Sequence, residues 1–593
     1  MTKTNQQSFN LPKGKSYFIP SILLGIFLSL FPILVFHFVP DYMNHNQSFF
    51  SIFCDNFFKN GNVGTIIGGS LYFIILIINC ILLCTIGWFA IRILFLMLGY
   101  KNWFTNYISE HTKIINSCNT KLFTDKVAMV VATCNDFSPN TILQTAKQTY
   151  KNMDVWISDD SSKPDVIEKI DSFCKKHNFN VIHRDPQHKK EHPTKIGNLS
   201  YFLSKCGDKY DYIFENDSGS IVTNTFVENS LCYFNSSLLI NENSGAVITN
   251  GSFYGAQNII GFLVGRAFMF SEATCATGSS VQLTGCPTSL NGWGCLYKTS
   301  VLKAVDLKTV ECPICDSARG MYLTLYKYKT YLNPFDFAAK LGPQSIQALR
   351  NQRLKWAGGD VFVFRNKLSR SKYPTFRQNI YIKTFTYSIN LLFPFSILAL
   401  AINAIILACL NFFYFNITAL VILASIFVPF ILVVLILFWI KKAPLLQFIW
   451  LLLGSIAEIG FIYNKIYQMI WRGFIRHTWS SRSVTLKTTN TLSIKQKLKM
   501  GLPNTIILLL SVTLCLLLTL LIPSLNKFLI WINIFLVLST PSVIYLIYLW
   551  IGCIHIRIGY DDKMVNYNHW LQDFRLKYVK QSEIWSRQHP NDI

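Results

Sequence analysis

Charge is scarce in this sequence, and acidic charge most of all. Only 15% of its 593 residues are Asp, Glu, Lys or Arg, and 31 acidic residues stand against 55 basic ones. Hydrophobic residues make up 51% of the chain, and the mean hydropathy is +0.32. This composition is unlike that of an ordinary soluble enzyme. Part of the chain is therefore expected to lie in lipid.

Several runs without any charge are long enough to cross a bilayer, which takes about 20 apolar residues. They are Tyr17–Val39, Gly61–Ile91, Thr384–Ile440, Leu502–Asn526 and Phe528–Ile556. The third run is long enough for two spans. The first run lacks a small-residue cleavage site and a second run follows it, so it is interpreted as an anchor and not as a removed signal peptide.

The basic excess, a formal net charge of +24, does not indicate a nucleic-acid partner. Much of it lies near the ends of the apolar runs, at Arg92, Lys101, Lys441 and Lys442 and from Arg472 to Lys499. The positive-inside rule explains this placement, so membrane lipids are the expected partners. The rule puts the N-terminus in the cytoplasm and Asp41–Lys59 outside. A multi-pass protein of a bacterial plasma membrane is expected, with its central domain in the cytoplasm.

These patterns divide the chain into four parts. Residues 1–100 are expected to form a cytoplasmic tail and two transmembrane helices, and residues 101–383 a cytoplasmic domain. Residues 384–556 are expected to form transmembrane or interfacial helices with a cytoplasmic loop at 472–500. The tail at 557–593 has aromatic residues among charges and is typical of an amphipathic helix lying on the bilayer or on the cytoplasmic domain.

One apolar segment, Ala443–Asn464, carries the acid Glu458, which in lipid usually faces a protein interior or a polar path. A full crossing there would place a basic cluster outside. Two solutions are open. Either this segment is re-entrant or interfacial, or one candidate span within Thr384–Ile440 does not cross.

The sixteen cysteines give no sign of a disulfide framework. Most lie in apolar runs or in the block assigned to the reducing cytosol, so they are expected to be mostly free thiols. Cys312 and Cys315 form a lone CxxC without a second pair at zinc-knuckle spacing, which is a weak metal signal.

Between the membrane runs, short β-rich segments alternate with helical ones, as in an α/β domain with a mostly parallel sheet. The candidate strands lie at 126–134, 154–161, 180–184 and 209–218. They are apolar nearly throughout, as strands covered on both faces must be. Three of them end in polar residues, and ligands bind at the carboxyl ends of such strands. The polar ends are therefore expected to line one edge of a cleft.

Two acids, Glu215 and Asp217, end the last of these strands. Desolvated like charges raise each other's pKa, and a divalent cation such as Mg²⁺ or Mn²⁺ is the simplest remedy, because such cations take oxygen ligands and complete their shell with substrate phosphates. The alternative is that both acids are solvated loop residues.

A series of motifs between Lys126 and Asp360 resembles the membrane-embedded family 2 glycosyltransferases, which include cellulose, chitin and hyaluronan synthases. The motifs are, in order, VATCND (131–136), ISDDSS (157–162), TKIGNLSYFL (194–203), FENDS (214–218), CDSARGMYL (315–323) and QRLKW (352–356). The resemblance implies a GT-A fold, a Rossmann-like, mostly parallel sheet inserted between transmembrane helices. It also implies a UDP-sugar donor and a growing polysaccharide acceptor.

The resemblance assigns roles on the donor side of the site. It implies that Thr133 and Asp160 hold the nucleoside and that Lys195 lies near the donor phosphates. Glu215 and Asp217 would hold the metal, with Asp217 as the main ligand.

On the acceptor side, the resemblance implies that Asp316 is the catalytic base. The QRLKW motif would face the acceptor through Gln352, Arg353 and Trp356, with Trp356 stacking on the sugar. The alternatives are that Asp316 only caps a helix and that Trp356 and Trp293 are core aromatics. Trp293, in NGWG, has a face suited to a sugar and glycines that allow close approach.

The sequence departs from the family pattern at several positions. Glu215 replaces the usual Asp, Ile314 and Cys315 replace Thr-Glu before the base, and Lys355 replaces Arg before the tryptophan.

The segment 479–487 resembles the gating loop of cellulose synthases, or is a basic linker. The function expected is an inverting, processive synthase that extrudes a β-linked polysaccharide. The alternatives are a non-processive enzyme with a lipid acceptor and a transporter or receptor with a degenerate domain.

Overall fold

The computed structural model describes residues 110–240, 242–254, 259, 290, 292–305, 312, 314–341, 343, 346–365, 459–475, 492–521 and 527–551. The predicted spans before residue 110 and within 384–440, the acid Glu458, the segment 479–487 and the tail 557–593 lie outside these residues.

The described residues contain one mixed sheet of eight strands. In chain order the strands are β1 Val127–Thr133, β2 Met153–Asp159, β3 Asn180–His183, β4 Tyr212–Asp217, β5 Ser220–Val222, β6 Ser244–Tyr254, β7 Cys295–Lys298 and β8 Lys329–Leu341. Their order across the sheet is β3-β2-β1-β4-β7-β6-β8-β5. The pairs β3–β2, β2–β1, β1–β4 and β6–β8 are parallel, whereas β7 is antiparallel to both neighbours and β5 to β8. The expected α/β domain with a mostly parallel sheet is confirmed.

Helices connect the strands and follow the sheet. They are α1 Pro139–Ala146, α2 Pro164–His177, α3 Pro186–Glu191, α4 Lys195–Cys206, α5 Phe226–Asn235, α6 Thr299–Ala304, α7 Cys315–Leu325, α8 Ile346–Arg365, α9 Ile462–Tyr467, α10 Ile494–Leu521 and α11 Lys527–Ile551. A π-helical turn, Gln468–Ile475, continues α9.

The central strand β1 is buried on both faces. Its alternate side chains point to opposite sides of the sheet. Ala128 and Val130 join a cluster that includes residues of α4 and α7, whereas Met129 joins a cluster with residues of α1 and α2. Helices therefore cover both faces, which explains why the strand reads as an unbroken apolar run.

The three polar strand ends meet at one edge of the sheet. In the parallel registers, Thr133 of β1 lies beside Asp159 of β2, and Ala132 lies beside Asp217 of β4. This confirms that the polar ends of these strands face a common edge. The candidate site is built there.

Beyond the sheet, α8 packs against the helices nearer the C-terminus. Ile346 and Leu349 of α8 share a buried cluster with Phe461, Tyr545 and Leu549. Within the described part of the chain, one helix, covering Ile494–Leu517, is long and apolar enough to cross a membrane, with a mean hydropathy of 2.0. The apolar stretch Leu538–Ile551 is shorter. One such helix is weak support for a membrane span, so the multi-pass arrangement is not established by the described residues.

Candidate active site

The loops after β1 and β2 are joined by hydrogen bonds. Asn135 has a left-handed backbone, with φ 58°, a conformation that Asn tolerates better than most residues. Its side-chain oxygen accepts hydrogen bonds from the backbone amides of Ser162 and Lys163 at 3.0 and 3.1 Å, and its backbone amide donates to Ser161 Oγ at 2.8 Å. The two loops therefore form one preassembled wall.

Thr133 and Asp160, predicted to hold the nucleoside, lie together in this wall. The Asp160 amide donates to the Thr133 carbonyl oxygen at 2.9 Å. The Asp160 carboxylate accepts two hydrogen bonds from Arg184, from Nε at 2.7 Å and from Nη2 at 2.5 Å. Arg184 is buried and also donates to the His192 carbonyl oxygen at 2.7 Å, so it links this wall to the segment that leads into α4.

The glycine of the KIGN motif is required by close packing at the start of α4. A Cβ at Gly197 would lie 2.2 Å from the His192 carbonyl oxygen and 2.6 Å from Arg184 Nη1. Thr194 caps the helix by accepting from the Gly197 amide at 3.4 Å. This packing sets the first helical residue, Lys195, at the sheet edge.

The ammonium group of Lys195 is the meeting point of the predicted acids. Its Nζ lies 2.8 Å from Glu215, 2.7 Å from Asp217 and 3.9 Å from Asp316, and it donates to the Gly292 carbonyl oxygen at 2.6 Å. Burial alone would lower the pKa of Lys195, but the three carboxylates raise it well above its usual value. This side chain therefore stays charged.

Asp217 is held by two lysines. Lys340 of β8 contacts its second carboxylate oxygen and also lies over the Trp293 ring, 4.7 Å from the centroid. Burial alone would raise the pKa of Asp217, but Lys195 and Lys340 lower it below the usual range. The Asp217 side chain is 18% exposed and each lysine side chain 21%, so this corner of the site reaches solvent.

Glu215 is in a different environment, although it lies on the same strand two residues earlier. Its Oε2 pairs with Arg319 of α7, whose side chain is fully buried. Arg319 Nη1 also donates to the Tyr297 hydroxyl at 3.0 Å. Burial would raise the pKa of Glu215, but Arg319 and Lys195 together lower it. Oε2 is therefore paired with Arg319, whereas Oε1 lies within ion-pair distance of Lys195 and accepts no hydrogen bond from the described residues.

Asp316 is the second residue of α7. The N-cap is Ile314, which makes no side-chain capping bond, so Asp316 lies in the first turn of the helix and not at the N-cap position. The Asp316 carboxylate lies directly against Gly292, where a Cβ would come within 2.3 Å of Oδ2 and φ is +73°. Only glycine fits there without displacing the carboxylate.

The predicted acceptor-side residues lie on α8. Gln352 and Arg353 are buried, and the Arg353 guanidinium lies over the Trp356 ring, 4.4 Å from the centroid. The helix reaches the segment before Asp316, because a Cβ at Gly359 would lie 2.6 Å from Ile314. The structure therefore brings α8 beside the start of α7.

Three cationic residues of the site were not predicted from the sequence: Arg184, Arg319 and Lys340. The spacing of Arg319, three residues after Asp316 and thus on the same helix face, was a usable signal. Lys340 and Arg184 had no comparable signal.

A metal ion would need oxygen atoms from the donor. Among the described residues, no group of three or more His, Cys, Asp or Glu side chains is arranged to hold a metal. Mg²⁺ is commonly held by one or two carboxylates together with substrate phosphates and water. Asp217, which is partly exposed, fits that requirement. The nine cysteines in the described part of the chain are all free, including Cys312 and Cys315.

Comparison with known proteins gives distant similarities. No protein-family profile matches the chain. It is 24% identical over 249 residues to a poly-β-1,6-N-acetyl-D-glucosamine synthase of Staphylococcus epidermidis, covering 42% of this chain and 56% of that protein. The synthase of Staphylococcus aureus strain MSSA476 is 24% identical over 265 residues, covering 44% and 61%. The matches span less than two thirds of these relatives.

Solved structures are similar only at low TM-score. A mannosyltransferase of Pyrobaculum calidifontis, PcManGT in complex with GDP-Man and Mn²⁺, has a TM-score of 0.41 at 12% identity and covers 61% of this chain and 94% of its own. Residues 1–349 of Staphylococcus aureus TarS in complex with UDP-GlcNAc have a TM-score of 0.27 at 12% identity, covering 47% and 80%. The sequence relatives are polysaccharide synthases, and this agrees with the enzyme class expected from the motifs, a glycosyltransferase.

Proposed function

We propose that this chain is an inverting glycosyltransferase that transfers a sugar from a UDP-sugar to a growing polysaccharide. One observation carries the proposal. Lys195, Asp217 and Asp316 come from three separate motifs, yet both acids approach one ammonium group, at 2.7 and 3.9 Å. A donor diphosphate needs positive charge, and an acceptor hydroxyl needs a base, and both are available at this point.

Asp316 is proposed to take the proton of the acceptor hydroxyl as that oxygen attacks the sugar carbon. General-base catalysis requires a carboxylate within hydrogen-bond reach of the hydroxyl. The Asp316 side chain is 27% exposed, so its carboxylate is accessible to an acceptor from solvent. A single displacement of this kind inverts the configuration at the sugar carbon and needs no covalent intermediate.

On the donor side, Lys195 and Lys340 are proposed to meet the charge of the diphosphate, with Asp217 holding Mg²⁺ or Mn²⁺. Such an ion, when bound, stabilises the negative charge that develops on the leaving diphosphate. Thr133 and Asp160 line the wall proposed for the nucleoside. Arg184 keeps the Asp160 carboxylate in one orientation.

The proposed donor is UDP-N-acetylglucosamine, because the sequence relatives are named for a polymer of that sugar. The acceptor polysaccharide is proposed to lie along α8, with Trp356 stacking on its terminal sugar. In this account synthesis is processive and the product leaves across the membrane. Trp356→Ala should then shorten the product, whereas a lipid acceptor receiving one sugar would give a product of constant size.

The proposed location is a bacterial plasma membrane crossed several times, with the α/β domain in the cytoplasm. The basic residues beside the apolar runs support this orientation. In a chain whose native cysteines are replaced, a cysteine at Asn46 should react with an impermeant thiol reagent in intact cells. Labelling at Ser161 under the same conditions would reverse the orientation.

Membranes containing the chain, incubated with a panel of radiolabelled UDP-sugars, test the proposal. Incorporation of one sugar into a polymer, followed by linkage analysis, is the expected result. A transporter or receptor with a degenerate domain would turn over none of the donors.

A further inference from the structure

The two acids at the end of β4, Glu215 and Asp217, lie in unlike surroundings, because Glu215 forms a buried pair with Arg319. Glu215 and Asp217 are two residues apart on β4, so their side chains leave the same face of the strand. A pair of metal ligands would both present oxygen lone pairs to the cleft. The surroundings of Glu215 and Asp217 differ too much for both to act as metal ligands.

Both oxygens of Glu215 are buried, and each contacts a cationic side chain. Oε2 pairs with Arg319, Oε1 lies 2.8 Å from Lys195 Nζ, and the residue is 1% exposed. Removing one partner from a buried ion pair leaves an uncompensated charge in a medium of low dielectric, which is strongly unfavourable. Oε2 of Glu215 therefore stays paired with Arg319, and Oε1 belongs to a residue that is only 1% exposed, so it is not open to a donor from solvent.

Asp217 has the opposite character. Its side chain is 18% exposed, and its second oxygen contacts Lys340, whose side chain is 21% exposed. Lysine has a flexible four-carbon stem, so Lys340 can turn toward phosphate oxygens when a donor enters. The carboxylate would then be open to a cation. One carboxylate with phosphate and water oxygens is a sufficient set of ligands for Mg²⁺.

The Glu215–Arg319 pair connects the sheet to the helix that carries Asp316. Glu215 lies opposite Cys295 in the β4–β7 register, and Arg319 reaches both Glu215 and the Tyr297 hydroxyl on β7. Arg319 lies one turn after Asp316. The apolar side of α7 packs into the core, and the charge-assisted hydrogen bond from Arg319 Nη1 to Glu215 adds a directional contact that holds the helix along its axis.

We propose that Glu215 and Arg319 are positioning residues that hold α7, and hence Asp316, in register with the sheet, and that Asp217 alone presents a carboxylate to the donor's divalent cation. This inference rests on the proposed function and goes beyond it, because it removes Glu215 from the metal site.

The test uses the full-length protein in detergent and the double variant Glu215→Gln with Arg319→Met, which removes both charges together. Replacing a buried pair by neutral groups of similar size is far less damaging than removing one partner. The single variants should therefore show lower melting temperatures than the double variant. Asp208→Asn with Lys303→Met, which removes an ion pair whose Asp208 side chain is 88% exposed, is the matched control.

Two readouts separate positioning from metal binding. Mn²⁺ binding in the presence of UDP, followed by the paramagnetic resonance signal of free Mn²⁺, should be unchanged in the double variant and lost in Asp217→Asn. Because small misplacement of a catalytic group can cost ~10²-fold in rate, the double variant should lose about that factor in kcat with the donor KM unchanged. The control should match wild type in both.

Three results would overturn the inference. A loss of Mn²⁺ affinity of more than ~100-fold in the double variant would make Glu215 a ligand, because changes to groups that only support the ligands cost ~10–100-fold. If the double variant had the kcat of the wild type, Glu215 and Arg319 would have no positioning role. If the wild-type protein bound no Mn²⁺ in the presence of UDP, Asp217 would not be a metal ligand. If the wild-type chain transferred no sugar, the proposed function would fail, while the Mn²⁺ titrations would still decide the role of Glu215.

Discussion

The two halves of the candidate site are built by different kinds of contact. On the side proposed for the nucleoside, the loops after β1 and β2 are joined by backbone and amide hydrogen bonds, and Asp160 has a fixed, bidentate partner in buried Arg184. On the side proposed for catalysis, three acids face cationic side chains, two of which, Lys195 and Lys340, are partly exposed. The first half is complete before substrate arrives. The second half holds charges whose partners can change, as a step that moves charge requires.

The largest expected effect comes from the exchangeable half. Asp217→Asn removes the carboxylate proposed to hold the cation, whose stabilisation of the leaving group is worth several kcal/mol. We expect turnover to fall by ~10³-fold or more. Chelation by EDTA should have the same effect in the wild-type protein, with recovery on adding Mn²⁺ or Mg²⁺. Full activity in excess chelator would remove the metal from the account and leave Lys195 and Lys340 as the cations.

The next effect separates chemistry from binding. Asp316→Asn should lower kcat by roughly 10²–10⁴-fold, the range for general-base catalysis, because the amide cannot take the acceptor proton. UDP affinity, measured by titration calorimetry, should not change, because the nucleoside half does not need Asp316. Weakened UDP binding in this variant would break the division between the two halves.

A smaller effect is expected from the preassembled half. Arg184→Lys keeps the charge but loses the two parallel hydrogen bonds to Asp160, and hydrogen bonds to charged groups are worth about 1.5–3 kcal/mol. The donor KM should rise by about tenfold or more with kcat nearly unchanged. If kcat fell and the donor KM stayed constant, Arg184 and Asp160 would act in the chemical step and not in donor binding.

Much of this site could be predicted from the sequence where the signal is local. The apolar runs of β1 to β4 locate the strands, and the acids at their ends locate the edge. Lys195 was found through its motif, but the pairing of Arg319 with Glu215 and of Lys340 with Asp217 could not be found in this way. Arg319 is 104 residues from Glu215 and Lys340 is 123 residues from Asp217, and no periodic pattern connects residues so far apart.

The antiparallel part of the sheet was also missed, for a related reason. β7 has only four residues, Cys295–Lys298, and β5 only three, Ser220–Val222. Segments this short carry too little periodicity to be recognised by themselves. β3 is equally short, but it follows the 14-residue helix α2 in the expected alternation of strand and helix. The pairing of β5 and β7 with β4, β6 and β8 is set by tertiary contacts, which also place Gly292 and Trp293 beside the acids.

The smallest expected effect is a pH dependence on the nucleoside side. His183 lies between Asp159 and Asp171, at 3.0 and 2.9 Å. Burial alone would lower the pKa of His183, but hydrogen bonds to Asp171 and Asp159 raise it. A raised pKa stabilises the folded state fully below the unfolded value of about 6.5, and this contribution is lost as the pH rises through the folded value.

Replacement of His183 by Gln should therefore lower the melting temperature at pH 5.5 more than at pH 8.5, with the transition followed by differential scanning fluorimetry. An equal loss at both pH values would show that the charge on His183 does not hold β3 to the wall.

Sugar transfer by matched preparations of wild type and Asp316→Asn tests the central claim most directly. Membranes holding equal amounts of each protein are given radiolabelled UDP-N-acetylglucosamine and Mn²⁺, and the label that enters polymer is counted. The account predicts incorporation by wild type and a loss of roughly 10²-fold or more in the variant. Equal incorporation by the two proteins, or none by wild type with any UDP-sugar, would contradict it.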